Sequence, residues 1–247
     1  MKKKLLAGLM TASLALGSLM FNSIAEAEVS LTEQIETADE EFQSNQKVEE
    51  GDNYCYVGEY ERSIASYTEA IELDSKNAWA YNRRGVAYAK CGQYDRAIND
   101  FDKTIELNPN DAMAYYNRGL VYIMLQQFNR ALADYDKALE FDPNNADAYN
   151  NRGAIYYKLG RYDKAIDNYS KVIEIDPNHA AAYSNRGEAY NALGKYKKAL
   201  SDCNKAIELD PEYAEAYYNR SVAYKALGNN VKAQSDLAKA RALGYAD

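Results

Sequence analysis

Apolar residues recur at helical spacing along most of this chain, and the helical stretches come in pairs. In Ala146–His179, ADAYNNRGAIYYKLGRYDKAIDNYSKVIEIDPNH, the pattern predicts a first helix from about Ala146 to Leu159. Gly160 stops it, since glycine readily takes the left-handed conformation that closes a helix. A second helix runs from about Tyr162 to Ile175 and ends before Pro177, whose ring disfavours helical geometry in the residue preceding it. The intervening turn is short, which predicts an antiparallel hairpin. The same pattern returns every 34 residues, with copies at 44–77, 78–111, 112–145, 146–179, 180–213 and 214–247. Together the six copies account for 204 of the 247 residues. A fixed period of this length marks a solenoid, in which each unit buries its apolar face only against its neighbours.

Small residues recur at two positions of the pair. Gly85, Gly119, Gly153 and Gly187 fall in the first helix; Ala97, Ala131, Ala165 and Ala199 fall in the second. A mid-helix glycine costs about 1 kcal/mol relative to alanine, so its repetition implies a close backbone approach. Around that contact Tyr149, Tyr156, Tyr162 and Tyr169 supply apolar bulk. The end copies depart from the pattern as caps should. The first carries Lys47, Ser63 and Ser75 where others have Tyr, Ala and Pro, and the last puts Asn230, Gln234 and Arg241 where a further repeat would pack.

The pattern Tyr149-x2-Arg152-Gly153-x2-Tyr156, then Ala165-x3-Tyr169 and Pro177, resembles the tetratricopeptide repeat in length and helix–turn–helix plan. The resemblance implies an all-α fold, a right-handed α-solenoid of tandem helix-turn-helix repeats. One position departs from the family: Arg84, Arg118, Arg152, Arg186 and Arg220 stand where Leu is usual. Sixteen residues later come Asp100, Asp134, Asn168, Asp202 and Asp236, and in the first copy both members change together, to Glu50 and Ser66. This co-variation within the chain predicts a structural Arg–Asp pair across each hairpin.

Ahead of the repeats, residues 1–27 carry Lys2, Lys3 and Lys4, then an apolar run from Leu5 to Phe21 dotted with small residues, then Ala25-Glu26-Ala27. That is the pattern of a secretory signal with cleavage after Ala27, leaving an exported chain, periplasmic or secreted, with no membrane span. The acidic stretch 28–43 places Leu31, Ile35, Ala38 and Phe42 at helical spacing, with Ser30 and Glu33 in capping-box register. It reads as a lead-in helix over the open end of the first repeat, or as an acidic tail. Net charge is −8; without the leader, 26 basic and 36 acidic residues leave −10, which argues against nucleic acid as a partner. Of the three cysteines, Cys91 and Cys203 occupy positions held elsewhere by Leu125, Leu159 and Leu193, or by Tyr135 and Tyr169, so they read as core substitutes.

No catalytic constellation, cofactor motif or metal cluster stands out. The single histidine, His179, occupies an inter-repeat turn where neighbouring copies have Asp111 and Asn145. The acidic turns lack the spaced oxygen ligands of a calcium loop. By the resemblance, repeat positions 2, 5, 9, 12 and 13 line a concave groove. Those positions give Trp79, Asn82 and Val86, then Met113, Tyr116, Leu120, Ile123 and Met124, then Asn150 and Tyr157. Further on the groove turns polar, with Ser184, Glu188, Asn191, Glu215 and Lys225 beside Tyr218. The first half thus reads as an apolar floor for a peptide segment of a partner protein, with Asn82 and Asn150 bonding the peptide backbone. The Lys/Asn carboxylate clamp of some family members is absent from the matching positions, which hold Tyr116, Asn150, Leu120 and Ala154. Two alternatives rest on the same residues: self-association into a homo-oligomer, and carbohydrate binding on the tyrosine-rich groove.

Overall fold

The computed structural model describes residues 30, 31, 34 and 36–246, and among these every regular element is an α-helix. The leader, Ile35 and Glu33 lie outside the described residues. In order the helices are α1 (36–56), α2 (Tyr60–Leu73), α3 (Ala78–Lys90), α4 (Tyr94–Leu107), α5 (Ala112–Met124) and α6 (Phe128–Phe141). They continue as α7 (Ala146–Lys158), α8 (Tyr162–Ile175), α9 (Ala180–Ala192), α10 (Tyr196–Leu209), α11 (Ala214–Ala226) and α12 (Asn230–Ala242). The class is all-α, built of tandem helix pairs, as the 34-residue period predicts. The chain divides within α4 into two units, one up to Arg96 and one from Ala97 onward.

Helix starts and stops follow from single residues at fixed repeat positions. The side chains of Asp111 and Asn145 cap α5 and α7 by accepting the N–H of Ala114 at 3.0 Å and of Ala148 at 2.9 Å. His179 does the same for α9: its Nδ1 accepts the Ala182 N–H at 3.2 Å, which requires the lone pair to sit on Nδ1. The lone histidine is therefore a helix cap in an Asn/Asp slot. At the other end, Gly92, Gly160, Gly194 and Gly228 adopt φ of +70° to +80°, where a side chain would be strained. In the third copy Gln126 holds that conformation at φ 57° without being glycine. Past each second helix, Asp142, Asp176 and Asp210 accept the N–H two residues on, at 3.2, 3.0 and 2.9 Å. The acidic turns are thus Asx turns that stop helices.

In the first unit α1 and α2 form one hairpin and α3 packs on α2. Ser63 Oγ donates to the Gly51 carbonyl at 2.9 Å and the Tyr67 hydroxyl to Asp52 at 2.6 Å. Val48, Tyr67, Ala70, Ala80 and Ala87 make the core. The segment read as a separate lead-in does not end before the first copy. Residues 36–56 are a single helix, and Leu31 and Phe42 stand exposed at 57% and 61% instead of covering the repeat.

In the second unit α5–α6, α7–α8, α9–α10 and α11–α12 are hairpins, each second helix packing on the next first helix. The closest approach inside α5–α6 and α7–α8 is of ring to backbone, while in α9–α10 Gly187 faces the Cys203 sulfur and the Ala199 carbonyl. A Cβ on Gly153 would lie 2.8 Å from Tyr169 Cε1, and one on Gly119 3.0 Å from Tyr135 Cε1. The glycine in one helix vacates the volume that the tyrosine sixteen residues later fills. Each such ring, buried as Tyr135 is, contributes about 2–3 kcal/mol. Burial pushes the Tyr67, Tyr135 and Tyr169 phenols well above the ordinary range. The three cysteines are unpaired; Cys203 replaces that tyrosine in the fifth copy, fully buried, its thiol pushed up to about 12 by burial.

The Arg–Asp pairs form, and each arginine does more than the sequence suggests. Arg118 Nε and Nη2 donate to the two carboxylate oxygens of Asp134 at 2.9 and 2.7 Å. Arg186–Asp202 and Arg220–Asp236 repeat this geometry, while Arg152 Nε donates to Asn168 Oδ1 at 2.8 Å. The remaining Nη1 reaches back sixteen residues to the second helix of the preceding copy: Arg118 to Asp102, Arg152 to Asp136, Arg186 to Ser170 and Arg220 to Asn204, at 2.5–3.0 Å. In the first unit Arg84 Nη1 bonds Thr68 in the same way at 3.0 Å. One guanidinium therefore ties a hairpin together and joins it to its predecessor. The tyrosines three before and four after flank it, with ring centroids 5.6 and 6.0 Å from the Arg118 guanidinium.

Candidate functional site

The first helices of the second unit are joined by a ladder of side-chain bonds between consecutive copies. Asn151 Nδ2 donates to the Tyr116 hydroxyl at 3.3 Å, Asn185 Nδ2 to Asn150 Oδ1 at 3.3 Å, and Asn219 Nδ2 to Ser184 Oγ at 3.1 Å. The ladder sets the spacing of α5, α7, α9 and α11. Between the last three it leaves a concave cleft of about 620 Å³. Tyr157 from α7, Glu188, Asn191 and Ala192 from α9, Tyr196 from α10, and Tyr218, Val222, Lys225 and Ala226 from α11 line it.

The lining of the cleft is mixed, with Glu188 and Asn191 beside Lys225 and three tyrosines. Burial raises the Glu188 carboxyl above the ordinary carboxylate range, partly offset by the neighbouring Tyr157 phenol. Asn191 Nδ2 donates to the Asn219 carbonyl at 2.7 Å, which turns Oδ1 away, and this oxygen is buried without a hydrogen-bond partner. Such an atom costs about 1–3 kcal/mol unless a donor reaches it. Tyr157 and Tyr218 present ring surface, while Lys225 is exposed at the cleft.

The residues singled out from the sequence fall in different settings. In the first unit Trp79 is 48% exposed, but the Arg83 guanidinium covers one ring face at 4.1 Å; Asn82 is buried and Val86 half-buried. In the second unit Met113 and Met124 are exposed at 49% and 64%. Tyr116, Leu120 and Ile123 are half-buried, and Tyr116 and Ile123 pack against the core of Tyr135 and Leu139. Asn150 is half-buried and accepts from Asn185, so its oxygen serves the ladder. Tyr157 alone of the ten lines the cleft, beside Glu188, Asn191, Tyr218 and Lys225 of the stretch read as the polar half. Val222, Ala192, Ala226 and Tyr196 were not singled out. The signal for two of them was present: at repeat position 13, Met124 and Lys158 give way to Ala192 and Ala226, which opens room between helices.

Among the described residues there is no cluster of three or more His, Cys, Asp or Glu placed to hold a metal, and no helix long and apolar enough to cross a membrane. The geometry defines a helical-repeat scaffold with a concave, tyrosine-lined cleft. The chain belongs to the tetratricopeptide-repeat family. Models described as tetratricopeptide repeat match residues 78–111, 146–179 and 180–213, and 101–133 and 203–235; a TPR repeat model matches 51–92 and 122–160. Among solved structures, YrrB, described as a TPR protein with an unusual peptide-binding site, is similar at 29% identity over 72% of this chain and 92% of that one, with a TM-score of 0.64. MamA is similar at 30% identity over 67% of this chain and 96% of that one, TM-score 0.62. MamA from Desulfovibrio magneticus RS-1, at 24% identity over 67% and 94% with a TM-score of 0.63, shares the fold. No curated protein sequence matches the chain.

Proposed function

We propose that this protein is an exported, non-enzymatic interaction scaffold that holds an extended peptide segment of a partner protein against the first helices of its second unit. The observation that carries the reading is the concave cleft of α7, α9 and α11, walled by Tyr157, Tyr196 and Tyr218. Tyrosine side chains supply contact area for a peptide at low entropic cost. Exposed Met113 and Met124 extend the apolar surface along α5. The peptide-binding site described for YrrB supports the same use of the fold. Export rests on the pattern of Met1–Ala27.

The test is photo-crosslinking in producing cells from a reactive side chain at Val222, with the same group at Glu208 on α10 as reference. The reading expects an adduct with one segment of a heterologous protein at Val222 only, and a synthetic copy of that segment should bind the purified protein and lose binding in Val222→Arg. An adduct with another copy of this chain would replace the reading with self-association. No adduct at Val222, or equal capture at both sites, would overturn it.

A further inference from the structure

The first and last copies carry opposite charge. Residues 28–77 hold fourteen acidic and three basic side chains and residues 78–247 hold 22 and 23, so the negative charge is concentrated in the first copy and the stretch ahead of it. On α1, Asp39, Glu40, Glu41 and Glu49 are exposed. Phe42 and Tyr56, exposed at 61% and 92%, share a stripe of the helix with Glu49, seven residues to either side of it. Lys47, the one cation of α1, is held by Glu50 at 3.0 Å and Glu69 at 2.7 Å. In the last copy Lys225, Lys232, Lys239 and Arg241 stand exposed, and the acid among them, Asp236, is buried against Arg220. Lys239 lacks the partner its equivalents have: Lys103, Lys137, Lys171 and Lys205 each pair with a glutamate three residues on, where the sixth copy has Ala242. Between α11 and α12 lies a groove of about 430 Å³ whose walls include Tyr218, Val222, Lys225, Ala233, Leu237 and Arg241, and no Asp or Glu lines it.

Inside the array a first helix meets the preceding pair through two fixed positions. Position 6 bonds position 5 of the preceding first helix, as Asn151 bonds Tyr116, and the arginine at position 7 bonds position 25 of the preceding second helix, as Arg118 bonds Asp102. In the first copy positions 6 and 7 are Glu49 and Glu50; in the last, position 25 is Ala238, with Lys239 beside it. The sign of the junction is therefore reversed at the two ends. A first helix bearing arginine would meet cations on α12, whereas α1 meets its complement. We infer that α1 of one copy docks into the α11–α12 groove of a second copy of this chain, in the place a first helix takes inside the array. Glu50 then falls opposite Lys239 and Glu49 opposite Tyr218, and the Phe42 and Tyr56 rings are covered. Asn230, Gln234 and Arg241, which close the array to a repeat of its own kind, thereby admit the acidic end of another copy. The contact joins two unlike surfaces, so a pair of copies still presents one of each and assembly continues beyond the dimer.

The test is analytical sedimentation of the protein purified from producing cells, over a range of protein and salt concentrations. Particles larger than a dimer should grow with protein concentration at about 0.05 M salt and dissociate at about 1 M, where screening cuts the reach of a charge to about 3 Å. Glu50→Arg, which gives α1 the arginine of the other copies, and Lys239→Glu should each weaken association about tenfold or more, because each sets like charges opposite one another. The chain with both changes reverses the pair and should associate within about threefold of the native one. Glu140→Arg, an equal change of charge on the exposed side of α6, should leave association unaltered. Circular dichroism establishes that each variant folds, and recovery in the double variant excludes unfolding as the cause of either loss. A single-chain mass at every concentration, association unchanged in either single variant, or a double variant as weak as the singles would overturn the inference. Val222 borders both this groove and the peptide cleft, so its crosslink is repeated in Glu50→Arg. A self-adduct that disappears there belongs to the contact between ends, and one that persists counts against the peptide reading, which keeps the two failures apart.

Discussion

Arg118→Leu isolates the energetics of the repeat junction. Its guanidinium is 17% exposed and holds Asp134, 7% exposed, through two bonds at 2.9 and 2.7 Å. Burial raises the Asp134 carboxyl even with Arg118 present, because the penalty for a buried charge exceeds the help from its partner. Removing the arginine leaves that carboxylate uncompensated, a loss of about 3–5 kcal/mol. The bond to Asp102, itself 52% exposed, adds only about 0.2–1 kcal/mol. Leucine between Tyr115 and Tyr122 returns roughly 1–2 kcal/mol of apolar burial. The net expectation is a destabilisation of about 2–3 kcal/mol at about pH 7, read as a urea midpoint lowered by about 1 M. Protonation gives a second readout. An acid whose folded pKa is raised contributes stability that is present below its unfolded pKa and lost as pH rises through the folded one. In Arg118→Leu that folded pKa rises further, so the gap to the native chain should narrow as pH falls from about 7 to about 5. Arg118→Leu with Asp134→Leu, which removes both charges, should recover most of the loss. An unchanged midpoint in the single variant, or a double variant no more stable than the single, would refute this reasoning.

Three further outcomes follow from the packing. Gln126→Gly relieves a side chain at φ 57° and should raise stability by about 1 kcal/mol, measured by thermal unfolding. Gly153→Ala gains helix propensity of about 1 kcal/mol but forces a Cβ to 2.8 Å from the Tyr169 ring, so a net loss of about 1–2 kcal/mol is expected in urea unfolding. Tyr67, Tyr135 and Tyr169, whose pKa values burial raises, contribute stability that is intact below about pH 10 and lost as pH rises beyond it. An alkaline ultraviolet titration should therefore show these phenols ionising only together with the loss of helical circular dichroism.

The helices were legible because each boundary is written in one residue: glycine after the first helix, the Asp-Pro turn after the second, Asn or Asp before the next. The Arg–Asp pair was legible because Glu50 and Ser66 depart together in the first copy. The backward bond was not, since it becomes visible only once neighbouring hairpins are placed side by side. Its trace lies in the short polar residues Thr68, Asp102, Asp136, Ser170 and Asn204 at one repeat position. The groove shows the same division. Repeat position identified side chains that face one another across first helices, whereas apolarity along them carries no information on the depth of the cleft. Tyr116 and Ile123 are spent on the core and Asn150 on the ladder, whereas Ala192 and Ala226 leave the space that makes a cleft. Depth depends on what is missing between helices, and composition at the surface does not report it.

The double engagement of the arginines makes each copy a connector with a plug and a socket. The plug is the arginine and the socket is the polar side chain eighteen residues later, as Arg118 precedes Asp136 and Arg186 precedes Asn204. Plug and socket travel together in every internal copy, so duplication of any one of them inserts a repeat already wired to both neighbours. The sixth copy keeps the plug in Arg220 but carries Ala238 at the socket position. A repeat duplicated behind it would lack that bond, whereas one duplicated in the interior would keep it.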